Sequence, residues 1–135
     1  MRKLLYAAVL LLGVGIMAVS CQKDSGISTK EYADAIVGEW KMTKMEIYEN
    51  GKLKATQTAT DKENVRLIFT ETGKVTTIET HDGETRTYTD DYSVVDNYLI
   101  LDGDRCLIRK MTKNELVLSY SEDDWEEKAY LSRVK

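Results

Sequence analysis

Beyond Gly38 the chain repeats one pattern, in which short runs of alternating apolar and polar residues are separated by turn-forming residues. In Val65–Phe69 and in Leu116–Tyr120 every second residue is large and apolar, which places those side chains on one face of an extended strand. Runs rich in Val, Ile, Thr and Tyr are typical of β-strands. The pattern predicts strands at Glu39–Tyr48, Lys52–Thr58, Val65–Thr70, Lys74–Glu79, Thr85–Val95, Tyr98–Leu101, Arg105–Met111, Glu115–Tyr120 and Glu126–Val134.

The residues between these runs favour tight hairpin turns, as at Asn50-Gly51, Asp82-Gly83 and Asp102-Gly103. Consecutive strands joined in this way form an antiparallel meander, which has two exposed edges unless it closes. The absence of proline fits strands that are paired on both sides. The sequence therefore predicts an all-β fold, an antiparallel up-and-down barrel of about eight or nine short strands, with a two-sheet β-sandwich as the alternative.

A helical period precedes the strands. Tyr32 and Ile36 are four residues apart, which gives one apolar face on a helix. Ser28 begins a capping box, and Gly38 stands where a helix C-cap belongs. These features predict one short N-terminal helix over Thr29–Val37.

The first residues have the pattern of a secretory signal. Met1–Lys3 is positively charged, and Leu4–Val19 is an uncharged, mostly apolar stretch that is shorter than the ~20 residues of a spanning helix. Residues 1–20 are therefore predicted to be a signal peptide.

The segment Ala18-Val19-Ser20-Cys21 resembles the lipobox of bacterial lipoproteins. The resemblance implies cleavage before Cys21, acylation of that cysteine, a lipidated tether over residues 21–27 and a folded domain over residues 28–135. It also implies a location in the cell envelope, and Gln22 after the cysteine favours an outer membrane lipoprotein, facing the periplasm or the surface. Ala18-x-Ser20 also suits ordinary signal peptidase, which would cut the same bond without adding a lipid.

The charge balance argues against nucleic acid as a partner. The chain has 19 basic and 23 acidic residues, which gives a formal net charge of −4. Removal of the signal takes away Arg2 and Lys3, so the remaining chain has 17 basic residues (19 − 2) and a net charge of −6. Nucleic-acid binders normally carry a basic patch. If Cys21 is acylated, Cys106 has no intramolecular partner, and we expect it to be a small buried hydrophobe.

The helix, the segment Gly38-Glu39-Trp40 and the long meander together resemble the lipocalin-like superfamily, over about residues 29–135. The resemblance implies that Gly38 and Trp40 close one end of the barrel, and that Arg133 lies across the indole. The short lipocalin-like lipoproteins of Gram-negative anaerobes resemble the chain in this combination.

Signs of catalysis or of a cofactor are weak. His81 is the single histidine and is predicted in an exposed turn, with no nucleophile marked by a motif. Paired carboxylates occur at Asp102 and Asp104 and at Asp123-Asp124, in predicted turns where charge favours solvent, and at Asp90-Asp91 and Glu126-Glu127, in predicted strands. The sequence therefore predicts a non-catalytic protein with no cofactor and no metal site.

A short eight-stranded barrel is either filled by its own side chains or holds one small ligand. We expect the interior to be partly filled by Met42, Met45, Leu67, Phe69, Ile100, Leu118 and Tyr130. The candidate ligand-binding residues are Met42, Phe69, Tyr88, Tyr92, Tyr98 and Tyr120, the tyrosines being placed at an open mouth.

Two functions remain open from the sequence. The first is a membrane-anchored, lipocalin-like lipoprotein that binds a small apolar or amphipathic molecule. The second is a protein-interaction or inhibitor module with a filled barrel, whose partner is another protein of the envelope.

Overall fold

The computed structural model describes residues 29–134, which form one helix and nine strands. The elements are α1 (Thr29–Ile36), β1 (Gly38–Glu49), β2 (Lys52–Thr58), β3 (Glu63–Phe69), β4 (Lys74–His81), β5 (Glu84–Val95), β6 (Tyr98–Leu101), β7 (Asp104–Met111), β8 (Glu115–Glu122) and β9 (Trp125–Arg133). Each predicted strand is confirmed to within two residues at either end. The predicted signal peptide, the tether, Cys21 and Ser28 lie outside the described residues.

The strands form one antiparallel sheet that closes because β1 pairs with β9. Eight strands, β1 and β3 to β9, make the closed barrel, and β2 is an additional strand. The prediction of an all-β barrel with one short helix is confirmed, and the two-sheet sandwich is wrong because the pairing is continuous around the ring.

The long first strand explains the additional one. The first half of β1 pairs with β3, from Gly38 opposite Phe69 to Lys41 opposite Arg66, and its second half pairs with β2. β2 and β3 therefore lie end to end along the same edge of β1. The sheet order places no strand on the far side of β2, so its outer edge is unpaired by any described strand.

The hairpin turns have the backbone that their residues favour. Asn50-Gly51, Asp82-Gly83 and Asp102-Gly103 each have positive φ at both positions. This conformation is that of a type I′ turn, whose twist matches that of paired strands. The Asn-Gly and Asp-Gly pairs thus fix the strand register.

Two β-bulges set which side chains enter the barrel. The register of β1 shifts between Met42 and Lys44, so that both Met42 and Met45 point inward and are buried. A similar shift in β7 keeps Ile108 and Met111 inside.

Along β1, β9 and β8 the inward side chains form rows across the strands. From the α1 end to the other end, the rows are Met42–Leu131–Leu116, Met45–Ala129–Leu118, Ile47–Glu127–Tyr120 and Glu49–Trp125–Glu122. The interior is therefore apolar near α1 and becomes polar and acidic at the opposite end.

The end near α1 is closed by packing. Tyr32 and Ile36 are buried in the same core as Trp40, and α1 contacts β5 and β7. The Trp40 Nε1–H donates to the Ile36 carbonyl at 2.8 Å, which ties the first strand to the last turn of the helix.

Two predicted interior residues, Ile100 and Tyr130, and one predicted mouth residue, Tyr98, lie on the outer face. Ile100 and Tyr98 alternate with Leu99, which is fully buried, so both point to the outer face of β6. Tyr130 is also on the outer face, since its neighbours Ala129 and Leu131 point inward. These wrong predictions have one cause. Alternation shows which residues share a face of a strand, but only the strand register shows which of the two faces points into the barrel.

In the described range, 29–134, no helix has the length and apolar character needed to cross a membrane.

Candidate functional site

The end of the barrel away from α1 carries an acidic recess. Glu49 lies opposite Trp125 across β1 and β9, and Trp125 lies opposite Glu122 across β9 and β8. These three residues and the turn residues Asp123 and Asp124 line an open recess of about 300 Å³. We call this feature the acidic recess.

Glu127 lies one inward row below the recess and is fully buried. Its Oε2 accepts a hydrogen bond from Trp125 Nε1–H at 2.8 Å, whereas its Oε1 is buried and has no hydrogen-bond partner within the described chain. Burial raises the pKa of Glu127, and the hydrogen bond from Trp125 opposes this only in part. A buried carboxylate with one unsatisfied oxygen is costly and calls for an explanation.

A second buried glutamate shows the opposite arrangement. Glu46, on the outer face of β1, accepts hydrogen bonds from Tyr130 at 2.6 Å and from Tyr48 at 2.9 Å, and its carboxylate lies 3.4 Å from Lys44 Nζ. Burial alone would raise the pKa of Glu46, but the two hydroxyls and the ammonium lower it below its usual value. This glutamate is satisfied by its own neighbours, so it has a structural explanation that Glu127 lacks.

Two of the predicted ligand-binding tyrosines, Tyr120 and Tyr88, point into the barrel near carboxylates. Tyr120 is in the same row as Glu127 and donates a hydrogen bond to Glu122 at 2.7 Å. Tyr88 points inward opposite the buried Thr77. Burial and the nearby Glu79 carboxylate raise the pKa of Tyr88.

The other predicted ligand-binding residues are placed differently. Phe69 and Tyr92 pack edge to face at 4.9 Å in the half near α1, and the Tyr92 hydroxyl donates to the Thr70 carbonyl at 2.6 Å. Met42 is buried in the same half. Tyr98 lies on the outer face of the barrel, where the Arg105 guanidinium carbon is 4.4 Å from the centre of the Tyr98 ring. The predicted placement of Tyr98 at the mouth is therefore wrong.

A narrow crevice runs between β2 and β3 towards the interior. Its lining includes Met42, Met45, Gln57 and Val65, and its volume is about 10 Å³, which is room for about one water molecule. The buried Gln57 Oε1 has no hydrogen-bond partner among the described residues. The crevice follows from the topology, because no strand pairing joins β2 to β3.

The predicted closing residues meet at the α1 end. The Arg133 guanidinium lies 4.2 Å from the centre of the Trp40 ring. It donates to the carbonyls of Ala35, Lys113 and Val37 at 2.6, 2.7 and 2.9 Å. Gly38 has φ +131°, and a Cβ there would collide with Arg133 Nη1.

The structure places His81 and Cys106 in different surroundings. His81 is the last residue of β4 rather than a turn residue, is 61% exposed, and pairs with Glu63 at 2.9 Å. Cys106 is buried, as predicted, and burial raises the pKa of its thiol to about 12. Among residues 29–134, no group of three or more His, Cys, Asp or Glu side chains is placed to hold a metal ion.

The buried position of Glu127, beneath the acidic recess, was missed by sequence reasoning. Glu126-Glu127 read as a solvated carboxylate pair, yet Glu126 is on the outer face and Glu127 is inside. The available signal was the alternation of Trp125, Glu127 and Ala129, which places them on one face of a strand.

No protein-family model matches this chain, and no curated protein matches it at a significant level.

Proposed function

We propose that this chain is a membrane-anchored, lipocalin-like lipoprotein that binds one small amphipathic molecule at the end of the barrel opposite α1, without covalent chemistry. One observation carries the proposal. The end near α1 is blocked by Trp40 and Arg133, whereas the opposite end carries an open recess lined by Trp125, whose indole Nε1–H donates to Glu127, a buried glutamate with one unsatisfied oxygen.

The lining suits a molecule that has a polar head and an apolar body. The head would lie in the acidic recess, where polar groups converge, and the body would contact the apolar rows below it. The crevice between β2 and β3 is a route for widening the interior, because parting these strands breaks no ladder hydrogen bond. Met42 and Met45 on its wall are flexible side chains that adapt to an incoming apolar group.

The anchor in this proposal is a lipid on Cys21, followed by a tether to the barrel. Its support is the resemblance of Ala18–Cys21 to a lipobox after a signal-like segment. Two or more acyl chains would hold the protein stably on a membrane, since each buried CH₂ contributes ~0.8 kcal/mol. We expect the intact mass of the native protein to show acylated Cys21, and a Cys21→Ser chain to leave the membrane fraction. An unmodified cysteine in native material would contradict the anchor.

The binding proposal is tested with N-phenyl-1-naphthylamine, a neutral apolar fluorophore. We expect saturable binding of one probe per chain, with a change in tryptophan emission that is lost in Trp125→Phe. The buried Trp40 provides an internal reference, because it is held at the closed end by Ile36 and Arg133. Absence of saturable binding, or binding that leaves Trp125 emission unchanged, would contradict the proposal.

A second candidate function is protein interaction, and the unpaired edge of β2 favours it. An exposed strand edge is a template for an extended segment of another protein, which would add a strand to the sheet. Lys52 and Lys54 are exposed on this strand and would favour an acidic segment. A photo-crosslinking residue in place of Lys54 is expected to capture one envelope protein in cells if this function is correct, and none if it is not.

A further inference from the structure

We propose that the acidic recess binds an organic cation, an amine or quaternary ammonium group carried by the amphipathic ligand. This inference rests on the proposed function and specifies the chemistry of the head that the barrel recognises. It combines three observations: the charge of the recess, the tryptophan in its wall and the unsatisfied carboxylate beneath it.

The charge of the recess has one sign. Four of its five lining residues are carboxylates, namely Glu49, Glu122, Asp123 and Asp124, and no lysine or arginine is among the lining residues. Carboxylates gathered around a concave surface concentrate the negative potential and raise the local concentration of cations.

The fifth lining residue is Trp125, whose ring is the best side chain for holding an organic cation. Its Nε1–H is already engaged by Glu127 Oε2 at 2.8 Å, so the indole contributes its ring to the recess rather than its donor. Aromatic rings beside carboxylates are a favourable setting for methylated or alkylated ammonium groups.

The buried carboxylate is the independent observation. Glu127 Oε1 is fully buried and lacks a hydrogen-bond partner in residues 29–134, while Glu46, the other buried glutamate, is satisfied by Tyr48 and Tyr130. A cation that enters beside Trp125 would approach Glu127 and provide the missing interaction. The register supports this placement, because Trp125 and Glu127 are adjacent inward positions of β9.

The size of the recess favours an organic cation over a metal ion. Calcium binds oxygen ligands at about 2.3–2.6 Å in a tight shell. The four carboxylates instead surround an open volume of about 300 Å³, which accommodates an alkylammonium head with its substituents.

The test compares octyltrimethylammonium with octyl sulfate, which has the same apolar chain and the opposite charge, in the full-length mature protein. Binding is measured by isothermal titration calorimetry, and tetramethylammonium and calcium chloride are titrated as a head without a chain and as a metal. We expect octyltrimethylammonium to bind at least about tenfold more tightly than octyl sulfate, and added salt to weaken it, because exposed charges are screened.

Glu127→Gln keeps the shape of the side chain and removes its charge. We expect it to weaken octyltrimethylammonium binding about tenfold, because this cation has no N–H and is attracted to the Glu127 carboxylate by charge alone. Glu49→Gln, at the exposed rim, is expected to weaken binding by a smaller factor and provides a second variant if Glu127→Gln does not fold. The matched control is Glu71→Gln, which removes the same charge from an exposed turn at the α1 end and is expected to bind as the unaltered protein does.

The outcomes separate this inference from the proposed function. Equal affinity for the two octyl amphiphiles, no effect of Glu127→Gln and Glu49→Gln, or calcium binding that displaces the cation would overturn the inference. If N-phenyl-1-naphthylamine still binds in those cases, the proposed function stands. If neither octyl amphiphile nor the naphthylamine binds, the proposed function fails as well.

Discussion

Replacing Arg133 with methionine removes the group that joins α1, β1 and the β7–β8 turn. Its guanidinium donates to three carbonyls, at 2.6, 2.7 and 2.9 Å, and lies 4.2 Å from the centre of the Trp40 ring. Methionine retains packing against the indole but leaves the carbonyls of Ala35 and Val37 without this donor.

The magnitude follows from these contacts. A hydrogen bond involving a charged group contributes about 1.5–3 kcal/mol and a cation–π contact about 0.5–1 kcal/mol. Because Arg133 is partly exposed, hydrogen bonds to water compensate for part of the lost contacts. We therefore expect the free energy of unfolding to fall by about 3 kcal/mol in total. With a urea slope of about 1–3 kcal/mol/M, the midpoint falls by about 1–3 M.

The assay is urea unfolding followed by far-UV circular dichroism and by tryptophan fluorescence. The matched control is Arg105→Met, which also removes an arginine over an aromatic ring, at 4.4 Å from the Tyr98 centre, but on the exposed outer face. We expect this control to cost less than about 1 kcal/mol. If Arg133→Met costs no more than Arg105→Met, the reasoning about the closed end is refuted.

Three further results are expected. Burial raises the pKa of Cys106 to about 12, whereas the ordinary pKa of a cysteine thiol is about 8.5. In a chain whose other cysteine is replaced by serine, we therefore expect the Cys106 thiol to resist a thiol reagent at about pH 8 while the chain is folded and to react once it is unfolded. Rapid reaction of the folded chain would contradict this. Burial raises the pKa of Glu127, so the contribution of Glu127 to stability is present below the ordinary carboxyl pKa and is lost as pH rises through the raised value. In thermal melts, Glu127→Gln should therefore become more stable relative to the unaltered chain as pH rises. Parallel curves of melting temperature against pH for the two chains would exclude the raised pKa. In urea unfolding, Gly38→Ala should lower the free energy of unfolding by at least about 2 kcal/mol, because Gly38 has φ +131° and a Cβ there collides with the Arg133 guanidinium. Gly51→Ala, where φ is +75° and the space is open, should lower it by about 1 kcal/mol. Equal losses in the two variants would contradict the close approach at Gly38.

The strands could be predicted because the turn residues are strong local signals. Asn50-Gly51 and Asp82-Gly83 adopt the positive φ angles that their sequence favours, and each fixes the hairpin around it. The pairing of β2 and β3 with the same edge of β1 could not be predicted. It depends on the long-range register of Gly38–Glu49, which no local pattern records.

The site was harder to predict than the fold because it depends on which face of each strand points inward. Tyr120 points inward because it continues the apolar face of β8, whereas Tyr98 begins a four-residue strand whose face only pairing decides. Glu127 was missed for a different reason. A charged residue reads as exposed by composition, and only the position of β9 in the closed ring shows that this carboxylate is buried.

Native mass spectrometry of the protein purified from its own cells without denaturation, beside Glu127→Gln produced in the same way, shows whether the barrel holds a small molecule at the acidic recess. We expect acylated protein carrying one non-covalent, positively charged small molecule, with much less of it on Glu127→Gln. Unliganded protein in both samples, accompanied by a co-purifying protein, would rule out the bound molecule and favour the interaction module.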